Sequence, residues 1–274
     1  MNKKKASNLV SENRTATSLA QIGVVARYTL LDYMRSRKFT ILLAIVLGLS
    51  AILILLFGDV LFLLEEFASF IALFCGIFFG SDALAGEFQN KTGFFSIPNP
   101  IRRSALYIGK WMAAFIGSSF ILGIYTFIML GVGFYYSSLT DQFGLSVIFT
   151  WFFLAATLGC VFLISSLSKS ILISIFLDLA LLIWANMVIQ DFAGLIPLEP
   201  WFLLTYGGQI IVDILMNPYP PNATVGPNAL YWKGIGGISA TTFTPTVPEG
   251  LLIMGLYFVI SMIVGLLFFE RKEL

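Results

Sequence analysis

An all-α integral membrane protein with six transmembrane helices is the fold class this sequence predicts, and three observations carry it. Hydrophobic residues make up 58% of the 274 and charged residues only 11%, more apolar side chain than one water-soluble core of that length can hide. Phe (27 residues) and Gly (24) are abundant, as suits lipid-facing surfaces and close helix contacts. The apolar residues are gathered into six long stretches rather than spread through the chain. Lipid is the solvent that such a chain requires.

A bilayer span takes about 20 apolar residues in a helix. Six stretches qualify: 39–57, 60–81, 108–135, 143–165, 171–190 and 250–269. An even number returns both termini to one side, and the third stretch is long enough to tilt or to project beyond the bilayer. All ten prolines lie outside these spans: Pro98 and Pro100 in one loop, and Pro197, Pro200, Pro218, Pro220, Pro221, Pro227, Pro245 and Pro248 in another. The spans are therefore expected to be unbroken helices.

Net charge is only +1, but its distribution is informative. Lys3, Lys4, Lys5, Arg14, Arg27, Arg35, Arg37 and Lys38 precede the first span. Lys91, Arg102, Arg103 and Lys110 lie between spans two and three, Lys169 between four and five, and Arg271 and Lys272 after six. Fifteen of the sixteen basic residues thus fall on one side and only Lys233 on the other. Basic residues are retained in the cytoplasm, so both termini are expected there. Met1–Lys5 is followed by a mostly polar stretch, unlike a cleaved signal peptide, and the first span is expected to target the chain.

The domain plan follows: a cytoplasmic N-terminus over 1–38, spans one to five over 39–190 with a loop at 82–110, an external segment over 191–249, and the sixth span with a cytoplasmic end over 250–274. Within the first unit, residues 18–38 set Leu19, Ile22, Val25 or Ala26, Leu30 and Tyr33 or Met34 at helical spacing, with Arg27, Arg35 and Lys38 opposite. This predicts an amphipathic helix lying in the inner membrane interface, in contact with lipid headgroups. In the external segment, 198–216 is apolar and helical in pattern, with Trp201, Phe202, Leu203, Ile210, Ile211 and Ile214, and is expected to dip into or lie on the outer leaflet, as a re-entrant or surface segment. The Pro-, Gly-, Thr- and Asn-rich 217–248 reads as an ordered loop or small β-like cap.

Histidine is absent, which excludes Ser-His and Cys-His nucleophile pairs, H-E-x-x-H zinc proteases and His-ligated haem. Cys75 and Cys160 both sit in apolar runs and read as small hydrophobes, so neither a disulfide nor a metal site is expected. Gly109-Lys110 is followed by Trp111 and lacks the upstream glycine of a phosphate loop. No catalytic residue and no bound cofactor are expected in this chain, and nothing points to nucleic acid.

The loop over 82–110 is the richest in signals. Its first half, through Gly86-Glu87-Phe88 to Lys91, is expected to form a short helix ending near Gly93, with Glu87 and Lys91 one turn apart on a face that another protein can grip. This loop resembles that of the type-2 ABC export permeases, six-helix subunits in which an acidic residue, a Thr, a Pro-x-x-Arg and a Gly-Lys occur in that order. Here Glu87, Thr92, Pro100 with Arg103, and Lys110 take those places. Asp32-Tyr-Met-Arg35-Ser-Arg37 likewise looks like the family's connecting helix. The sequence departs from the family pattern at Lys91, where Gly is usual, at Arg102, where Ser is usual, and in a longer, more Pro-rich external segment. The resemblance implies that Gly86, Glu87, Phe88, Lys91, Thr92, Pro100, Arg103 and Lys110 couple to a separate ATPase, two copies of which would hold the ATP and magnesium. It also implies a second permease subunit, identical or homologous, and outward transport across the cell membrane of an amphipathic or apolar substrate.

Acidic residues inside the spans supply a rival reading. Asp178 lies about 12 Å into span five by helix rise, where a charge costs at least ~2.5 kcal/mol. No Lys or Arg lies deep inside a span to pair with it, Lys110 standing at the entrance of span three. It is expected either to line a translocation path, together with Asn186 two turns further along, or to hydrogen-bond between helices. Glu65 and Glu66 lie in the outer part of span two and point about 100° apart, one toward a solvated vestibule or path. An ion-coupled transporter or channel would use these groups as titrating sites. Of the sequons at Asn13, Asn90 and Asn222, only Asn222 is external in this topology, so it is the glycosylation candidate.

Overall fold

A computed structural model describes residues 3–57, 60–89, 102–137, 139–196, 198–216, 218–225 and 240–271. Helix α1 (Lys3–Arg35) leads into α2 (Arg37–Phe57), followed by α3 (Val60–Gln89), α4 (Arg103–Tyr136) and α5 (Phe143–Leu167). Next come α6 (Ile171–Leu179), a π-helical segment (Ala180–Ala185) and α7 (Asn186–Leu195). Two short helices, α8 (Leu204–Gly208) and α9 (Ile210–Asp213), precede strands β1 (Ala223–Val225) and β2 (Ala240–Thr242), and α10 (Val247–Arg271) closes the described chain. Six of these stretches are long and apolar enough to cross a membrane, and each coincides with an expected span. The protein is an all-helical membrane protein apart from the antiparallel β1–β2 pair, in which Thr224 faces Thr241.

Two helices form the middle of the bundle. The apolar windows of α3 and α5 are 67% and 61% buried, against 28% for α2 and 22% for α10, so the latter present most of their side chains to lipid or to another subunit. Helix α5 is apolar all round, and Leu154, Ala156, Leu158, Val161 and Phe162 are fully buried, as expected for a helix enclosed by others. Small residues let α3 approach it. Gly76 and Gly80 lie one turn apart, and a methyl group at Gly80 would sit 2.6 Å from Val161 Cγ1, the close packing that small-xxx-small spacing allows between membrane helices.

Helix α1 packs on α4 through Val25 and Ala26, which are buried, with Ile22, Leu30 and Tyr33 half-buried. A side chain at Gly109 of α4 would meet Val25 Cβ at 2.8 Å, so this glycine lets the two helices touch. Leu19 and Met34, expected on the same stripe, are exposed at 69% and 49%; the packed face is narrower than the periodicity implied. Ser36 ends α1 and caps α2, its hydroxyl accepting from Phe39 N at 3.3 Å as an N-cap serine does.

Two sequence expectations are corrected. The residues expected to form a separate short helix over 82–93 continue α3 without a break to Gln89, because Ala83, Leu84 and Ala85 remain buried and hold the extension in the bundle. Residues 90–101 lie outside the described residues. Span five is not a uniform helix: despite having no proline, it carries the π segment between α6 and α7. The apolar stretch over 198–216, expected to be helical, forms two very short helices, with Leu204, Tyr206, Ile210 and Ile211 buried against the bundle. Here Gly250 at the start of α10 allows the crossing, since a methyl group on it would lie 2.8 Å from Gly207 O.

Candidate functional site

The end of the bundle that carries the basic residues is held by polar contacts to the extension of α3. Lys110 Nζ donates to Glu87 Oε1 at 2.5 Å and to Ala83 O at 2.6 Å, with both charged side chains mostly buried. Two residues singled out in sequence, 23 apart, are therefore one ion pair joining α3 to α4. Arg103, in the first turn of α4, donates to Glu270 O of α10 at 2.9 Å. Lys38, at the start of α2, forms an ion pair with Asp82. Tyr33 of α1 donates to Phe79 O at 3.0 Å. Its burial, with the carboxylates of Asp82, Asp32 and Glu87 nearby, pushes the phenol well above its ordinary range, so it stays a donor.

The base of this extension has an unusual joint. Ser165 Oγ of α5 donates to Ser81 O at 2.9 Å and accepts from Ala85 N at 3.0 Å, so the hydroxyl is inserted at one turn of α3. A side chain entering the backbone ladder in this way is a recognised origin of helix bending. Ser81 also meets Asp178 Oδ2 at 2.7 Å, and Ser174 Oγ lies 3.5 Å from the same oxygen. Asp178 is fully buried. Asp178, Ser81 and Ser165 thus tie α6, α3 and α5 together at the level where α3 leaves the apolar core.

The other expected residues fall as follows. Gly86 is half-buried on α3. Asn186 is buried near the opposite end, its Nδ2 donating to Leu181 O at 2.7 Å and its Oδ1 accepting from Thr205 Oγ1 at 3.1 Å. It shares no contact with Asp178; each has its own partners. Asn222 is exposed beside β1, and its Oδ1 accepts from Thr244 N at 2.8 Å. Lys91, Thr92 and Pro100 lie outside the described residues, as do the side chains of Glu65, Glu66 and Phe88. Cys75 and Cys160 are buried free thiols. Among the described residues no group of three or more His, Cys, Asp or Glu could hold a metal.

Against this arrangement of six spans and a tethered loop base, the model of the family described as ABC-2 family transporter protein matches residues 3–274. The chain belongs to the ABC-2 transporter family. No curated protein matches it. As an ABC-2 family member it is a multi-pass membrane permease of an ABC transporter, in agreement with the resemblance carried by Glu87, Arg103 and Lys110. The family match spans the polar network at the basic end and the small helices at the other.

Sequence reasoning missed one polar feature of this permease. Asp213 and Gln209 are set into the wall of a cavity at the end away from the basic loops. The signal was available, since Asp213 is the only acid in the apolar run Ile210–Met216, but the run was read for its hydrophobicity.

Proposed function

We propose that this chain is half of the membrane pathway of an ATP-driven exporter. Two subunits, identical or homologous, enclose the path, and two separate ATPase subunits that bind the ATP and magnesium dock at the basic, cytoplasmic end. The substrate is amphipathic or apolar and moves outward across the cell membrane. The observation that carries this reading is the Glu87–Lys110 ion pair at the end of the α3 extension. Through it, a push on the residues around Gly86 and Glu87 passes directly into α4, and through Arg103 into the end of α10. The inserted Ser165 gives α3 a place to bend between this lever and the core. Closure of an ATPase pair beneath it would then reorient spans rather than merely displace a loop.

Against the channel or ion-coupled alternative stands the tie of Asp178 Oδ2 to Ser81 and Ser174 within one subunit.

The test is affinity purification in mild detergent of wild type, Glu87→Arg, and the exchanged pair Glu87→Arg with Lys110→Glu. Wild type should bring down an ATPase with measurable ATP turnover. Glu87→Arg should lose it, because it sets two cations side by side. If the exchanged pair recovers a folded subunit but not the ATPase, Glu87 itself meets the partner. If no ATPase accompanies even wild type, the exporter reading fails.

A further inference from the structure

At the end of the bundle away from the basic loops, α3, the π segment, α8, α9 and β2 surround a cavity of about 390 Å³. Its wall is largely apolar, with Phe70, Leu73, Phe153, Leu182 and Phe243 among the lining side chains. Polar side chains interrupt that wall, Ser69, Gln190 and Thr244 among them, and two acceptors in it are buried without a partner. Asp213 is only 7% exposed, yet its Oδ2 has no hydrogen-bond partner, and neither has Gln209 Oε1. Four residues apart on successive helical turns, they share a face. Among the described residues no lysine or arginine lines the cavity. The hydroxyl of the neighbouring Thr205 is already donated to Asn186.

An unpaired buried carboxylate is costly, and proteins ordinarily satisfy such a group with a partner. Here the missing partner must be a donor, and beside a carboxylate a cationic one binds most strongly. An anion would find no positive charge among the described residues of the wall. The cavity is also many times larger than one water, which occupies about 30 Å³, and the rings of Phe70, Phe153 and Phe243 in its wall offer an ion or water nothing to bond. Phe70, Met216 and Thr242 are exposed as well as lining, so the space opens to the surface. Part of the wall comes from the π segment, through Leu182 and Ile183, a helix form that recurs at functional sites.

We propose that this cavity is a binding site for an amphipathic organic cation. Its apolar body lies against the phenyl rings, and its ammonium group donates to Asp213 and Gln209. The site belongs to a single subunit and requires no ATPase, so it stands or falls separately from the exporter mechanism.

The experiment uses the purified full chain in phosphatidylcholine nanodiscs, with thermal unfolding followed by tryptophan fluorescence. Decylamine, decanol and potassium chloride are titrated against wild type, Asp213→Asn and Ser69→Trp. The last variant fills the cavity from α3 and leaves both acceptors in place. Decylamine should raise the midpoint saturably at concentrations where decanol does not. Asp213→Asn should weaken its apparent affinity about tenfold, the scale of losing a charge-assisted hydrogen bond, and Ser69→Trp should abolish the effect. Equal responses to decylamine and decanol, or an unchanged amine affinity in Asp213→Asn, would overturn the proposal. So would potassium chloride alone reproducing the shift, since the cavity would then hold only water and ions. Should Asp213→Asn not fold, an amine response in Ser69→Trp equal to wild type overturns it.

Discussion

Two buried carboxyls, Asp178 and Asp213, illustrate how differently the same group can be used. Around Asp178 the polar contacts come from within the subunit and reach one carboxyl oxygen: the Ser81 hydroxyl has one proton and lies 2.6 Å from Ile77 O and 2.7 Å from Asp178 Oδ2, while Oδ1 has no hydrogen-bond partner among the described residues. A donor at position 178 lets both contacts be satisfied, because Ser81 can then donate to Ile77 O and accept from that side chain. Asp178→Asn, whose amide donates, should therefore keep a thermal midpoint in detergent close to wild type. Asp178→Ala removes the α6–α3 link and leaves a gap, and should cost about 1–3 kcal/mol. Asp213 receives no hydrogen bond on Oδ2 from the described residues, and burial pushes its carboxyl up to about 6 from an ordinary 3.8. A raised folded value means that stability is fully present below the unfolded value and is lost as pH rises through about 6. The titratable groups that sense it, Tyr206 and Tyr219, are both pushed up and stay protonated throughout. The midpoint of Asp213→Asn relative to wild type should accordingly rise between pH 5 and pH 7.5; a constant difference would show that the carboxyl does not carry this penalty.

At the scale of elements, the π segment in span five is the departure that composition did not reveal. Nothing in Ala180–Ala185 marks it: there is no Gly or Pro, and the apolar pattern runs straight through. A π turn holds more residues than an α turn, so it accommodates one extra residue while the flanking helices keep their inward faces. That explains how Asp178 in α6 and Asn186 in α7 are both buried, although eight α-helical steps would leave them well short of alignment. Deleting the exposed Leu181 should convert the segment to ordinary helix and still yield a monodisperse protein with the Asn186–Thr205 contact available. Deleting Ile173 from the regular part of α6 should rotate everything beyond it and destroy the fold, as read by size-exclusion profile and thermal midpoint. Equal damage from both deletions would refute this account. The α3 extension was legible in part. Its residues were marked by charge and by order, but the Glu87–Lys110 contact depends on how α3 crosses α4, which no local pattern encodes.

For the whole molecule, the positions of the six spans were readable because lipid imposes a length and an apolar content that each span must meet by itself. Which spans sit inside was not readable, since all six are apolar; it is set by small residues such as Gly76 and Gly80, whose importance appears only when α5 is placed against them. Orientation rests on a third kind of information, the basic residues. The structure gathers Lys38, Arg103 and Lys110 at one end of the bundle, with the cavity and the β1–β2 pair at the other. If the basic end faces the cytoplasm, a membrane-impermeant maleimide applied to intact cells should label Thr242→Cys directly. It should label Arg102→Cys only after the membrane is permeabilised. Both positions are exposed, and the native Cys75 and Cys160 are buried, which keeps the background low. The reverse pattern would put Glu87 outside the cell, away from any cytoplasmic ATPase, and would remove the mechanical basis for coupling through α3 and α4.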